Sequence, residues 1–131
     1  MPWVELFAVL AVSHMVGDFV LQTGWQAQNK HGGLGGNPVA RRALFTHVLV
    51  YTLAFLPALI WIADDVGTGS ALATAGLVAG PHLVQDDGRV LRAYMLAVKR
   101  TDPEVETYVG VMVDQSLHYV VLLLIALLIG S

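Results

Sequence analysis

The chain has 131 residues, 56% of them hydrophobic and 13% charged, with a net charge of -3 and a mean hydropathy of +0.65; an average soluble domain carries about 25% charged residues, so this composition is that of a membrane protein. No cysteine is present, which excludes disulfides, thiolate metal sites and cysteine nucleophiles. No basic run or aromatic-basic interleaving suits a polyanion groove, so nucleic acid is not expected as a partner, and the length allows one domain over 1–131.

Four segments approach the roughly 20 apolar residues that cross a bilayer: 3–22, 43–63, 67–84 and 108–129. The spacing therefore predicts an all-α fold, four transmembrane helices in a compact bundle. No basic residue precedes the first segment, and His14 and Asp18 interrupt it, so it reads as a retained helix rather than a signal peptide. The third is the shortest and is rich in small residues (Ala71, Ala75, Gly76, Ala79, Gly80), which favours close packing at the bundle centre; a re-entrant segment is the alternative.

All seven basic residues, Lys30, Arg41, Arg42, Arg89, Arg92, Lys99 and Arg100, fall in two connections, 23–42 and 85–107, whereas the turn between the second and third spans carries Asp64 and Asp65. The positive-inside rule places both loops in the cytoplasm and both termini outside, in a bacterial inner membrane. The first loop, rich in Gly32, Gly33, Gly35, Gly36 and Pro38, reads as flexible and lacks the spacing of a phosphate-binding loop. In the second, Val90, Leu91, Tyr94, Met95 and Val98 mark one face of a short interfacial helix flanked by basic residues. Thr101-Asp102-Pro103-Glu104 predicts the cap of the fourth span, with Pro103 at its first position.

The polar residues inside the spans then converge. His14, Asp18 and Gln22 are four apart and form one stripe on an α-helix, and an aspartate there needs protein, water or an ion to face. With the orientation above, His14, Asp18, His47, His82, Asp86, Asp114 and His118 share one depth near the cytoplasmic face. Each of the pairs His14/Asp18, His82/Asp86 and Asp114/His118 occupies one helical face. The run His14-Met15-Val16-Gly17-Asp18 matches His82-Leu83-Val84-Gln85-Asp86, and each is followed by a helix carrying a histidine, His47 or His118. That pattern suits a parallel tandem repeat of two-helix units, with chance similarity among apolar helices as the alternative. Pro81, just before His82, removes the donor for the Leu77 carbonyl and predicts a kink there.

Imidazole and carboxylate are ligands for zinc, manganese, iron or nickel, and four histidines with three aspartates suffice for one ion or a pair. Such ions activate water for phosphoester hydrolysis. Two other readings stay open at this point: Asp–His pairs that brace the bundle, and a relay for protons or ions.

The ordered motifs His14-x3-Asp18-Phe19-x2-Gln22, Gln28-Asn29-Lys30, Leu44-x2-His47-x3-Tyr51, His82-x3-Asp86 and Asp114-Gln115-x2-His118 resemble a bacterial integral-membrane family of unknown function, number 3307. More distantly they are similar to small bacterial membrane proteins described as metal-dependent hydrolases. The resemblance implies a hydrolase reaction; the ligands that the residues themselves offer to a divalent metal (zinc, manganese or iron) are His14, Asp18, His47, His82, Asp86, Asp114 and His118. Around the third motif such proteins tend to continue with an apolar stretch and a lysine, and here Arg89 stands in the lysine's place.

As an enzyme, the chain would use Asp114 as general base, with Lys30, Arg41, Arg42 or Arg89 receiving an anionic lipid head group or membrane phosphoester. As a non-enzyme it would be an ion-binding, proton-relay or structural membrane component. A chain this small has little room to enclose a substrate alone, so a homodimer is expected.

Overall fold

The computed structural model describes all residues from Met1 to Ser131. Every regular element is helical: α1 (Trp3–Met15), prolonged by a π-helical turn Val16–Val20; α2 (Gly24–Asn29); α3 (Pro38–Ala54); α4 (Leu56–Asp65); α5 (Thr68–Asp87); α6 (Arg89–Tyr94), prolonged by a π-helical turn Met95–Lys99; and α7 (Thr107–Ile129). Two of these, α1 with its π turn and α7, are long and apolar enough to cross a membrane. A third such crossing exists if α3 and α4, bent by 49° at Phe55, count as one.

The expected second span is therefore broken rather than straight. Pro57 has no N–H to give the Leu53 carbonyl, so the helical ladder is interrupted, α3 ends at Ala54 and α4 restarts at Leu56. The expected third span is α5, which at 20 residues is about 30 Å long. Its small and polar residues leave it short of the apolarity of the other candidates, and it packs against α3, α4 and α7. It runs on as helix through Pro81.

Leu6, Leu10, Tyr51, Phe55, Ile62, Val78 and Leu122 pack the core between α1, α3, α4, α5 and α7. The outer faces are apolar as well: Val12, Val20, Leu49, Ile60, Leu72, Leu124 and Leu128 are all more than half exposed. A girdle of this kind suits hydrocarbon and is costly in water.

The molecule has two chemically different ends. At one, the Ser131 amide donates to the Met1 carbonyl (2.9 Å) and the Met1 amino group lies 3.1 Å from Asp65. At the other lie α2, α6 and all seven basic residues. α1 and α5 both run towards this basic end and are parallel, whereas α3 and α7 start from it.

The connection 23–42, expected to be flexible, is docked. Thr23 and Gln26 exchange backbone and side-chain hydrogen bonds at the start of α2 (3.0 and 3.1 Å), a capping box. The Gly32 amide donates to the Asp87 carbonyl (2.8 Å), and a Cβ on Gly33 would stand 2.5 Å from Leu44 Cβ. Gly33 permits close approach to α3 and Gly32 takes a left-handed φ of 78°, demands that composition cannot distinguish from looseness. The expected cap of the last helix also shifts. Asp102 accepts from the Glu104 amide (3.0 Å), but Pro103 sits in a turn and α7 starts only at Thr107. On α6, Met95 alone of the expected apolar face is buried in protein, with Val90, Tyr94 and Val98 exposed.

Candidate metal centre

Local sequence decides how α1 presents its polar residues. The chain widens into a π turn at Val16, so the Leu21 amide bonds to the Val16 carbonyl (2.9 Å); turns of this kind concentrate at functional sites. Gly17 lies against α3 so closely that a Cβ would stand 2.8 Å from Tyr51 Cδ2 and 3.1 Å from its Cα. The predicted single stripe is thereby divided. His14 faces Tyr51 and Gln115, whereas Asp18 faces His47 and His82.

At the centre four buried residues from α1, α3 and α5 bring their donor atoms together. His47 Nε2 lies 3.1 Å from Asp18 Oδ1 and 2.9 Å from Asp86 Oδ2, and 3.0 Å from His82 Nε2. His82 Nε2 lies 3.2 Å from Asp86 Oδ2 and 3.7 Å from Asp18 Oδ1. Ligands at 2.0 to 2.1 Å around a tetrahedral ion stand about 3.3 Å from one another. The distances among Asp18, His47, His82 and Asp86 scatter about that edge, and all four residues are buried, so this group can hold a metal ion.

A second group shares Asp86. One donor atom from each of Asp86, Asp114 and His118 lies within 4.8 Å of the others. His118 Nδ1 donates to the Asp114 carbonyl (2.7 Å), which leaves Nε2 as the lone-pair nitrogen, 3.3 Å from Asp86 Oδ1. Asp18 and Asp86 thus each meet the histidine of the following long helix, His47 and His118 respectively.

His14 belongs to neither group. Its Nε2 donates to Gln115 Oε1 (2.8 Å) and its Nδ1 accepts from the Tyr51 hydroxyl (2.9 Å). The Gln115 amide is oriented by Asp18, whose Oδ2 takes the Nε2–H (2.8 Å) and can only accept. Both His14 nitrogens are taken, and the residue positions Tyr51 and Gln115 rather than offering a ligand atom. Tyr51 in turn lies flat against His82.

Lys30, expected at the head-group level, is buried in the cluster. Its ammonium donates to Asp86 Oδ2 (2.6 Å) and Gln22 Oε1 (2.6 Å) and stands 3.8 Å from Asp18 Oδ1. Arg89 lies outside, its guanidinium on Asp87 (2.6 and 3.2 Å). Asp87 also accepts from the Leu34 amide (2.8 Å), which ties it to the 23–42 connection. Asp114 lines a cavity of about 130 Å³ together with Lys30, Asp86, Leu91 and Pro103. Arg41 and Arg42 stay on α3 away from the cluster, Arg41 bonding the Gly35 carbonyl and Arg42 covering Trp25. Four-residue spacing marks His14/Asp18, His82/Asp86 and Asp114/His118 in the sequence, and its place in an apolar span marks His47; nothing in the 23–42 connection signals that Lys30 inserts between two aspartates.

A family model described as "Protein of unknown function (DUF3307)" matches residues 6–131. No curated protein and no solved structure matches the chain.

Proposed function

The chain belongs to the DUF3307 family, which carries no activity to transfer, and we propose from the site itself that it is an integral membrane protein binding a divalent metal ion on Asp18, His47, His82 and Asp86. One observation carries this reading. His47 Nε2 stands within 3.1 Å of Asp18 Oδ1, Asp86 Oδ2 and His82 Nε2, and an imidazole nitrogen has at most one hydrogen to give. One hydrogen cannot serve three acceptors, whereas a cation among the four atoms attracts all of them. With Asp18, Asp86 and the adjoining Asp114 ionised and Lys30 protonated, the whole cluster is two charges negative, the charge that one divalent ion neutralises.

In the membrane, α5 is the fourth crossing, packed against α3, α4 and α7 with Leu72 on its outer face, and the basic end faces the cytoplasm of a bacterial cell. The parallel α1 and α5, each placing an aspartate on the next histidine, support a tandem repeat. A divalent ion held by Asp18, His47, His82 and Asp86 would supply the Lewis acidity that activates water for phosphoester hydrolysis at head-group depth; Asp114, on the cavity, is placed to take a proton and Arg89, outside the cluster, to draw in the anion. A second copy packs against the apolar outer faces to enclose the substrate.

The test is metal content by inductively coupled plasma mass spectrometry, on protein purified in mild detergent without a histidine tag. Near-stoichiometric zinc, manganese or iron in wild type, lost in His47→Ala, is the expected result. No metal above background after loading with each ion would leave the Asp–His pairs as a brace or proton relay. Turnover is tested separately, with phospholipids in mixed micelles: an inactive metal-loaded protein would retain the site and remove the hydrolase.

A further inference from the structure

We infer that Asp86, Asp114 and His118 form a second divalent-cation site, sharing Asp86 with the first and opening onto the cavity lined by Lys30 and Pro103. The inference rests on the first site, because Asp86 is the bridge. Its Oδ2 faces His47 and His82, at 2.9 and 3.2 Å, while its Oδ1 faces His118 Nε2 at 3.3 Å. A carboxylate with its two oxygens in separate ligand groups holds paired ions about 3.5 to 4 Å apart.

The independent observation is His118. Its Nε2 is buried and has no hydrogen-bond partner, although the residue is only 2% exposed. Its Nδ1 already donates to the Asp114 carbonyl, so the outer hydrogen bond that fixes the tautomer of a metal-bound imidazole is in place. A buried lone pair with neither donor nor water is costly. A cation between Nε2, Asp86 Oδ1 and the Asp114 carboxylate uses it.

The two sites differ in access. Asp18, His47, His82 and Asp86 are all buried, whereas Asp114 is partly exposed and lines the cavity. The first ion is therefore enclosed and charge-balanced, and the second keeps positions open to water or to an anion. One ion neutralises the cluster; a second leaves it two charges positive, the charge that a phosphate dianion cancels. With the second ion bound, Asp114 serves it as a ligand, and the base role of Asp114 applies only to the one-ion protein.

Manganese loading of the full chain in detergent tests this, with metal counted per chain and electron paramagnetic resonance recorded at low temperature. Two manganese ions per chain with an exchange-coupled spectrum are expected. His118→Ala and Asp114→Asn should each fall to one ion with an uncoupled six-line spectrum. One ion per chain in wild type overturns the second site and leaves the first standing; no bound ion overturns both. Two coupled ions retained in Asp114→Asn would return that residue to the role of base. The wild-type count decides the question even if a variant fails to fold.

Discussion

The phenol ring of Tyr51 lies flat on the imidazole of His82, with ring centroids 3.4 Å apart and planes inclined by 3°. The same phenol hydroxyl donates to His14 Nδ1 (2.9 Å). Tyr51 therefore orients two histidines, one by its face and one by its edge. Tyr51→Phe keeps the stack and loses one buried hydrogen bond, a cost of about 1 to 2 kcal/mol, with metal affinity retained. Tyr51→Leu loses the stack as well and should lower metal affinity by about tenfold, on the scale of lost outer contacts. Thermal unfolding and metal titration in the same detergent separate the two; equal affinities in both variants would remove the stack from any role in orienting His82.

Gly17 permits the closest helix contact at the site. A methyl group there would stand 2.8 Å from Tyr51 Cδ2 and 3.1 Å from the Tyr51 backbone, so Gly17→Ala must push α1 away from α3, costing about 1 to 3 kcal/mol. Gly76 meets nothing within 4 Å, and Gly76→Ala should be neutral or stabilising by about 0.5 to 1 kcal/mol through reduced backbone entropy in the unfolded chain. The melting temperature should fall in Gly17→Ala and hold or rise in Gly76→Ala relative to wild type.

His14 and His47 lie near each other but do different work. His47→Ala removes a donor atom from the centre and should abolish the bound ion of the enclosed site. His14→Ala removes a partner of Tyr51 and Gln115 and should weaken metal binding by about 10- to 100-fold without eliminating it. Equilibrium dialysis against zinc measures both, and complete loss of zinc in His14→Ala would place that residue among the ligands.

Lys30 and a metal ion answer the same negative charge. Lys30→Met leaves Asp18 and Asp86 facing each other without the ammonium that bonds Asp86 at 2.6 Å, and loss of one partner of a buried pair costs about 3 to 5 kcal/mol. In chelator the variant should melt well below wild type. Added manganese should raise its melting temperature by more than it raises that of wild type. Equal shifts would show that the ammonium and the ion act on separate charges.

Much of this was legible in the chain. The helical class follows from long apolar runs, because backbone polar groups in hydrocarbon must be satisfied within the segment. The broken second span is signalled by Pro57, but the apolar run continues on either side of it, so hydropathy alone reads one straight segment. The docked loop 23–42 was not legible, since glycine marks a close approach and a flexible link with the same letter. A turn at Pro103, in which Asp102 accepts from the Glu104 amide (3.0 Å) and the Arg92 guanidinium (2.8 Å), occupies the residues that read as the helix cap, and α7 starts at Thr107.

The sequence by itself determined that histidines and aspartates would meet inside a helical bundle: four-residue spacing puts each pair on one face, and an ionisable group in an apolar helix must turn inward. Only the tertiary structure decided their separate tasks. A π turn and the close contact at Gly17 aim Asp18 at His47 and His14 at Tyr51, Lys30 enters from a distant connection, and Asp86 faces two groups at once. Those assignments depend on where a ring nitrogen or a carboxylate oxygen points, and that direction is set by packing between helices, which spacing along one helix does not encode.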